Sequence, residues 1–110
     1  MSYQHQNLAA GRWATMSFLE QMANVGSEVE RALNWRSKNN QPFTQNAFDR
    51  ALELLDLTLQ NGGSFPRLKE VARVREGLVD YFSGSNEYLS TDLVWKKYFL
   101  QFNLALRRDH

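Results

Sequence analysis

Few side chains in this 110-residue chain are of a type that does chemistry, and their spacing works against most reactions. A metal site needs His, Cys or carboxylates at ligand spacing. There is no cysteine, and the two histidines, His5 and His110, lie in terminal segments expected to fray. Without cysteine there are no disulfides and no thiolate chemistry, which fits a reducing compartment. Glu28 and Glu30 stand two apart, on different sides of any helix, so they do not form a carboxylate pair. No Glu-x-x-His occurs, so the di-iron bundle pattern is missing.

Phosphate and nucleophile chemistry fare no better. Gly62-Gly63-Ser64 precedes a helical stretch, but it lacks the preceding strand and the lysine of a phosphate loop, and reads as helix punctuation. A serine nucleophile needs a histidine base, and neither histidine is well placed. Helical HEPN ribonucleases carry an Arg followed four to six residues later by His; Arg107-Arg108-Asp109-His110 has the wrong spacing. The expectation is a non-enzymatic chain with no cofactor and no metal.

Three features rise above a plain helical surface. The first is Arg75, which falls about 20° from the middle of an apolar helix face, among Val71, Ala72, Leu78 and Val79. Charged residues are almost never fully buried unless paired. A carboxylate from another helix is therefore expected to reach Arg75, with Glu30 and Asp56 as candidates; the readings are a buried ion pair, a side chain that snorkels to water, or an anion-binding arginine in a cleft between helices. If that pair is buried, Arg75→Ala is expected to destabilise by roughly 2–5 kcal/mol.

The second is the two-sidedness of the last helix. Trp95, Tyr98, Phe99, Phe102 and Leu106 form its main apolar face, while Leu93, Leu100 and Leu104 line nearly the opposite side. A monomeric bundle buries one stripe per helix, so the second stripe predicts self-association, with a dimer the favoured assembly. The third is a set of basic residues beside aromatics: Arg31 and Trp35 at i,i+4, suited to cation–π stacking, and Arg67, Lys69 and Arg73 further on. Glu70, Glu76 and Asp80 are interleaved with the latter, the pattern of a solvated face. A nucleic-acid patch of Arg31, Trp35, Arg67 and Arg73 is the alternative reading.

The elements that must position these residues follow from the interruptions. Asn39-Asn40-Gln41-Pro42, Asn61-Gly62-Gly63-Ser64 and Ser83-Gly84-Ser85-Asn86 cut the chain into four amphipathic pieces, and no strand-like alternation appears. The first piece, from Arg12 to Lys38, is expected as one long helix that overhangs or bends. Its face is Phe18, Leu19, Met22, Val25, Gly26, Val29 and Leu33. Gly26 within that face costs about 1 kcal/mol of helix propensity relative to Ala, which predicts close approach of a neighbouring helix. The second helix is expected from a Thr44 cap to Gly62 with Ala47, Phe48, Ala51, Leu52, Leu54, Leu55 and Leu59 inward. The third runs from Ser64 to Gly84 with Leu68, Val71, Ala72, Val74, Leu78, Val79 and Phe82 inward, and the fourth from Ser90-Thr91-Asp92 to Arg107-Arg108. Short connections favour antiparallel neighbours. The expected fold is thus all-α, an up-down-up-down antiparallel four-helix bundle over residues 12–108, preceded by a frayed segment over 1–11.

Composition agrees with one compact core. Hydrophobic residues make up 43% and charged residues 23%, and three Trp, four Tyr and seven Phe supply a large apolar payload. The net charge of +1 gives no overall pull toward nucleic acid or anionic membrane. Met1 to Asn7 is polar, unlike a signal peptide, and no window is apolar enough to span a bilayer, so a cytoplasmic address is expected.

Two stretches, Gly26-Ser27-Glu28-Val29-Glu30-Arg31-Ala32 and the run from Asn86-Glu87-Tyr88 through Ser90-Thr91-Asp92 to Lys97-Tyr98-Phe99-Leu100-Gln101-Phe102, resemble those of small uncharacterised prokaryotic helical-bundle proteins. The resemblance spans much of the chain and implies a helical bundle without implying an activity. It directs attention to Glu28, Arg31, Tyr88 and Asp92, which otherwise read as surface or capping residues.

Overall fold

The computed structural model describes residues 11–108; His5, His110 and the expected frayed segment before Gly11 lie outside them. Four helices follow a short 3₁₀ turn at Trp13–Thr15: α1 (Phe18–Ser37), α2 (Gln41–Gln60), α3 (Phe65–Ser83) and α4 (Asp92–Arg108). No strand occurs among the described residues. None of the helices is long and apolar enough to cross a membrane.

The long first helix expected from Arg12 is broken at Met16–Ser17, and α1 is no longer than α2. The cause is local. Ser17 accepts from Glu20 N at 3.1 Å, while Glu20 Oε1 accepts from Ser17 N at 3.0 Å. This reciprocal capping box starts a helix at Phe18 and leaves the preceding residues to turn separately. The second helix also begins earlier than Thr44. Asn40 accepts from Phe43 N at 3.1 Å and caps a helix with Pro42 in its first turn, where a missing N–H is harmless. Ser64 and Gly84 bound α3 as the sequence predicts.

The contacts between helix ends define the topology. Trp13, ahead of α1, donates its indole N–H to Thr58 near the end of α2 at 3.1 Å. Phe48 near the start of α2 stacks on Phe82 at the end of α3, with ring centroids 4.9 Å apart. Arg36 at the end of α1 meets Asp92 at the start of α4. Sequential helices are therefore antiparallel, and the chain is an all-α four-helix bundle. Backbones approach most closely between α1 and α2 and between α1 and α4. Helices α3 and α4 meet mainly through long side chains, such as Tyr98 reaching Glu70 at 2.5 Å.

One core joins all four helices. Met22, Val25, Val29 and Leu33 of α1 face Phe48, Ala51, Leu54 and Leu55 of α2, Val71, Val74 and Leu78 of α3, and Trp95, Phe99 and Phe102 of α4. Each large side chain so buried contributes about 1.5–3 kcal/mol relative to exposure. Helix α2 is the most enclosed, burying Thr44, Glu53 and Thr58 besides its apolar face. Ala72, expected inward on α3, is exposed. It lies at the margin of the buried face of α3, which is formed by Val71, Val74, Gly77 and Leu78.

Candidate interaction surface

Helix α4 divides sharply into two sides. Trp95, Phe99 and Phe102 are buried, while Leu93, Leu100 and Leu104 are 60%, 49% and 47% exposed. The spacing of seven and four residues sets these three leucines in one stripe along the helix. Its inward side is fixed by Gly26 of α1, where a Cβ would stand 2.8 Å from Phe99 Cβ, and by Gly77 of α3, where a Cβ would stand 3.1 Å from the Trp95 ring. Two glycines thus let α1 and α3 close on the aromatic face, which commits the leucine stripe to the outside.

A groove of about 390 Å³ runs between α1 and α4 beside that stripe. Leu33, Leu93 and Leu100 give it apolar walls, and Glu30, Lys96 and Lys97 line it. None of these three charged residues is in an ion pair among the described residues. A wider groove of about 790 Å³ lies between α3 and α4, with Lys69, Arg73, Tyr88, Val94 and Tyr98 on its walls. Its carboxylates are engaged: Glu70 accepts from Tyr98 and Glu76 accepts from Tyr88 at 2.6 Å. Burial first, then the bond to Glu70, pushes the Tyr98 phenol well above its usual pKa, so it stays a neutral donor.

Arg75 pairs with Asp56, its Nε–H donating to Oδ1 at 2.8 Å and a terminal nitrogen reaching Oδ2 at 3.5 Å. Glu30, the other expected partner, points into the α1–α4 groove instead. The pair is not buried. The side chains keep 37% and 31% of their exposure, because Arg75 lies along the edge of the α2–α3 seam and carries its guanidinium out to water.

The basic residues do not form one patch. Arg31 pairs with Glu28 at 3.5 Å rather than stacking on Trp35, whose ring takes Phe43 edge-on and Lys38 Nζ at 5.2 Å. Arg67 sits over Phe18 at 5.0 Å, at the other end of α1 from Trp35. Phe18 and Trp35 are about 25 Å apart along the helix. Arg73 stands in the α3–α4 groove. These four side chains face different neighbours.

One cluster has no counterpart in the sequence reading. Arg36 donates to Asp92 at 3.0 Å and lies over the rings of Tyr81 at 4.4 Å and Phe82 at 4.7 Å, while Tyr81 O–H also donates to Asp92. The cluster ties the ends of α1 and α3 to the start of α4. Beyond it, Asp80 accepts from the backbone N–H groups of Glu87 and Tyr88, and Asn86 exchanges two hydrogen bonds with the backbone of Ser90. Glu28, Arg31, Tyr88 and Asp92, marked by the resemblance, thus all have partners within the bundle. No family model, curated protein or solved structure matches the chain.

Proposed function

We propose that this chain is a non-enzymatic helical interaction or scaffold module of the cytoplasm that self-associates through the outer face of α4. One observation carries the reading: Leu93, Leu100 and Leu104 lie exposed in a single stripe on a helix whose other side is already packed. Isolated exposed leucines are ordinary, but an aligned apolar stripe flanked by polar residues is the pattern of a surface covered by a partner. Val94, 52% exposed, widens the stripe near its start.

A nucleic-acid reading has less support, since Arg31, Trp35, Arg67 and Arg73 face separate neighbours and the net charge is only +1. The test of the leading reading is Leu100→Glu combined with Leu104→Glu. Helical content by circular dichroism is expected to be unchanged, and the mass in solution by light scattering to fall to that of one chain. A mass equal to that of the unaltered protein would remove this surface as the seam.

A further inference from the structure

We infer that the groove between α3 and α4 is a binding site for a small organic carboxylate, held by Lys69 and Arg73 beside the indole of Trp95. The inference is independent of self-association and applies to a single chain. It starts from how the groove is kept open. The backbones of α3 and α4 approach less closely than those of α1 and α4. Two phenol–carboxylate bonds span the gap, Tyr98 to Glu70 at 2.5 Å and Tyr88 to Glu76 at 2.6 Å. Val74, Val94 and Trp95 give apolar walls to the space of about 790 Å³ that remains, a size that takes a small ligand.

This groove carries a hydrogen-bond donor without an acceptor. Trp95 is 7% exposed, and its indole Nε1 is buried with no hydrogen-bond partner. Buried polar groups in folded proteins are paired with few exceptions. Trp13 follows the rule, its indole N–H donating to Thr58. The setting of the Trp95 ring shows where its donor points. A Cβ on Gly77 would stand 3.1 Å from Trp95 Cζ2. Cζ2 and Nε1 are bonded to the same ring carbon, so the N–H lies on the edge turned toward α3. Gly77 is itself part of the groove wall. Because the N–H is shielded from bulk water, an acceptor seated there would bond to it without competition from solvent.

Charge names the ligand. The wall holds Lys69 and Arg73 against Glu70 and Glu76, so the signs balance, but their bonding does not. Each carboxylate already accepts from a phenol, whereas neither Lys69 nor Arg73 is in an ion pair among the described residues. Lys69, Arg73 and Gly77 follow one another at four-residue spacing. They therefore share one face of α3, each about 6 Å beyond the last. A carboxylate taken by Arg73, with Lys69 one turn away, lies within a turn of the unpaired N–H, and its apolar body covers Val94 and the indole.

The three tryptophans each give one indole N–H signal in the proton–nitrogen NMR spectrum of the full chain, and Trp95→Phe identifies the Trp95 signal by its loss. Benzoate, titrated at constant ionic strength, is expected to shift that signal saturably while those of Trp13 and Trp35 stay in place. Its Kd should lie in the millimolar range, as befits so small a ligand. Lys69→Gln combined with Arg73→Gln alters only exposed positions. The pair should weaken benzoate binding roughly tenfold or more, the effect of losing a charge-assisted bond. Benzyl alcohol, which has the ring without the charge, should leave the Trp95 signal unmoved at the same concentration. No shift with benzoate, an equal shift with benzyl alcohol, or undiminished affinity in the double variant would each overturn the site.

Discussion

Gly26 of α1 lies directly beneath Phe99 of α4: a Cβ built on the glycine would stand 2.8 Å from the Phe99 Cβ, nearer than two carbons can rest. The atom it would strike adjoins the α4 backbone and cannot swing aside. Close approach here presses the aromatic side of α4 into the core and turns its leucines outward. Overpacking costs about 1–3 kcal/mol, and the better helix propensity of alanine offsets about 1 kcal/mol of that. Gly26→Ala should therefore lower stability on balance, by on the order of 1 kcal/mol, read as a reduced urea midpoint with unchanged slope.

Trp13 closes the bottom of the core. It is 2% exposed, donates to Thr58, and accepts from Gln21 through its carbonyl at 3.0 Å. Trp13→Ala should destabilise by about 3–5 kcal/mol as a large buried side chain is lost. Thr58→Val keeps the shape but orphans a buried indole N–H, for about 1–3 kcal/mol. The two substitutions combined should cost less than their sum, because the second has no hydrogen bond left to break.

The four helices were legible from the three turn clusters and the period of the apolar residues, and Gly26 announced a close approach because it sits mid-face where alanine would be the better helix former. Trp13 was not legible. It belongs to a turn too short to show a period, and only the Ser17–Glu20 spacing marks the helix as starting after it. Arg36, Tyr81 and Asp92 come from three different helices and read singly as surface or cap positions. Their meeting depends on how the helix ends align, which no local pattern records. The choice of Asp56 over Glu30 for Arg75 has the same origin: both flank apolar faces, and packing decides which one faces α3.

With its partner settled and its exposure known, Arg75 should matter less than a buried pair would. At 37% exposure the interaction is screened by water, so Arg75→Ala should cost about 1 kcal/mol or less rather than the several expected of an enclosed ion pair. A loss above about 3 kcal/mol in chemical denaturation would show that the pair is enclosed.

Alkaline pH should weaken the fold. Tyr81 is pushed above the usual phenol value by burial and then by Asp92, Tyr98 by burial and then by Glu70, and Tyr88 by its bond to Glu76. All three hold their protons more tightly folded than unfolded. Their contribution is therefore complete below pH about 10 and is lost as pH rises past it, where the unfolded chain releases protons and the folded chain does not. Unfolding midpoints from pH 8 to 11 should be level and then fall, and Tyr98→Phe should make the fall shallower. A flat profile through pH 11 would contradict these pairings.

Sedimentation equilibrium of the unaltered protein over a range of micromolar concentrations bears most directly on the role given to Leu93, Leu100 and Leu104. A mass of twice the 12.8 kDa of one chain, falling toward one chain on dilution, is the predicted result. A mass of 12.8 kDa at every concentration would mean that the outer face of α4 meets only water, and would contradict self-association.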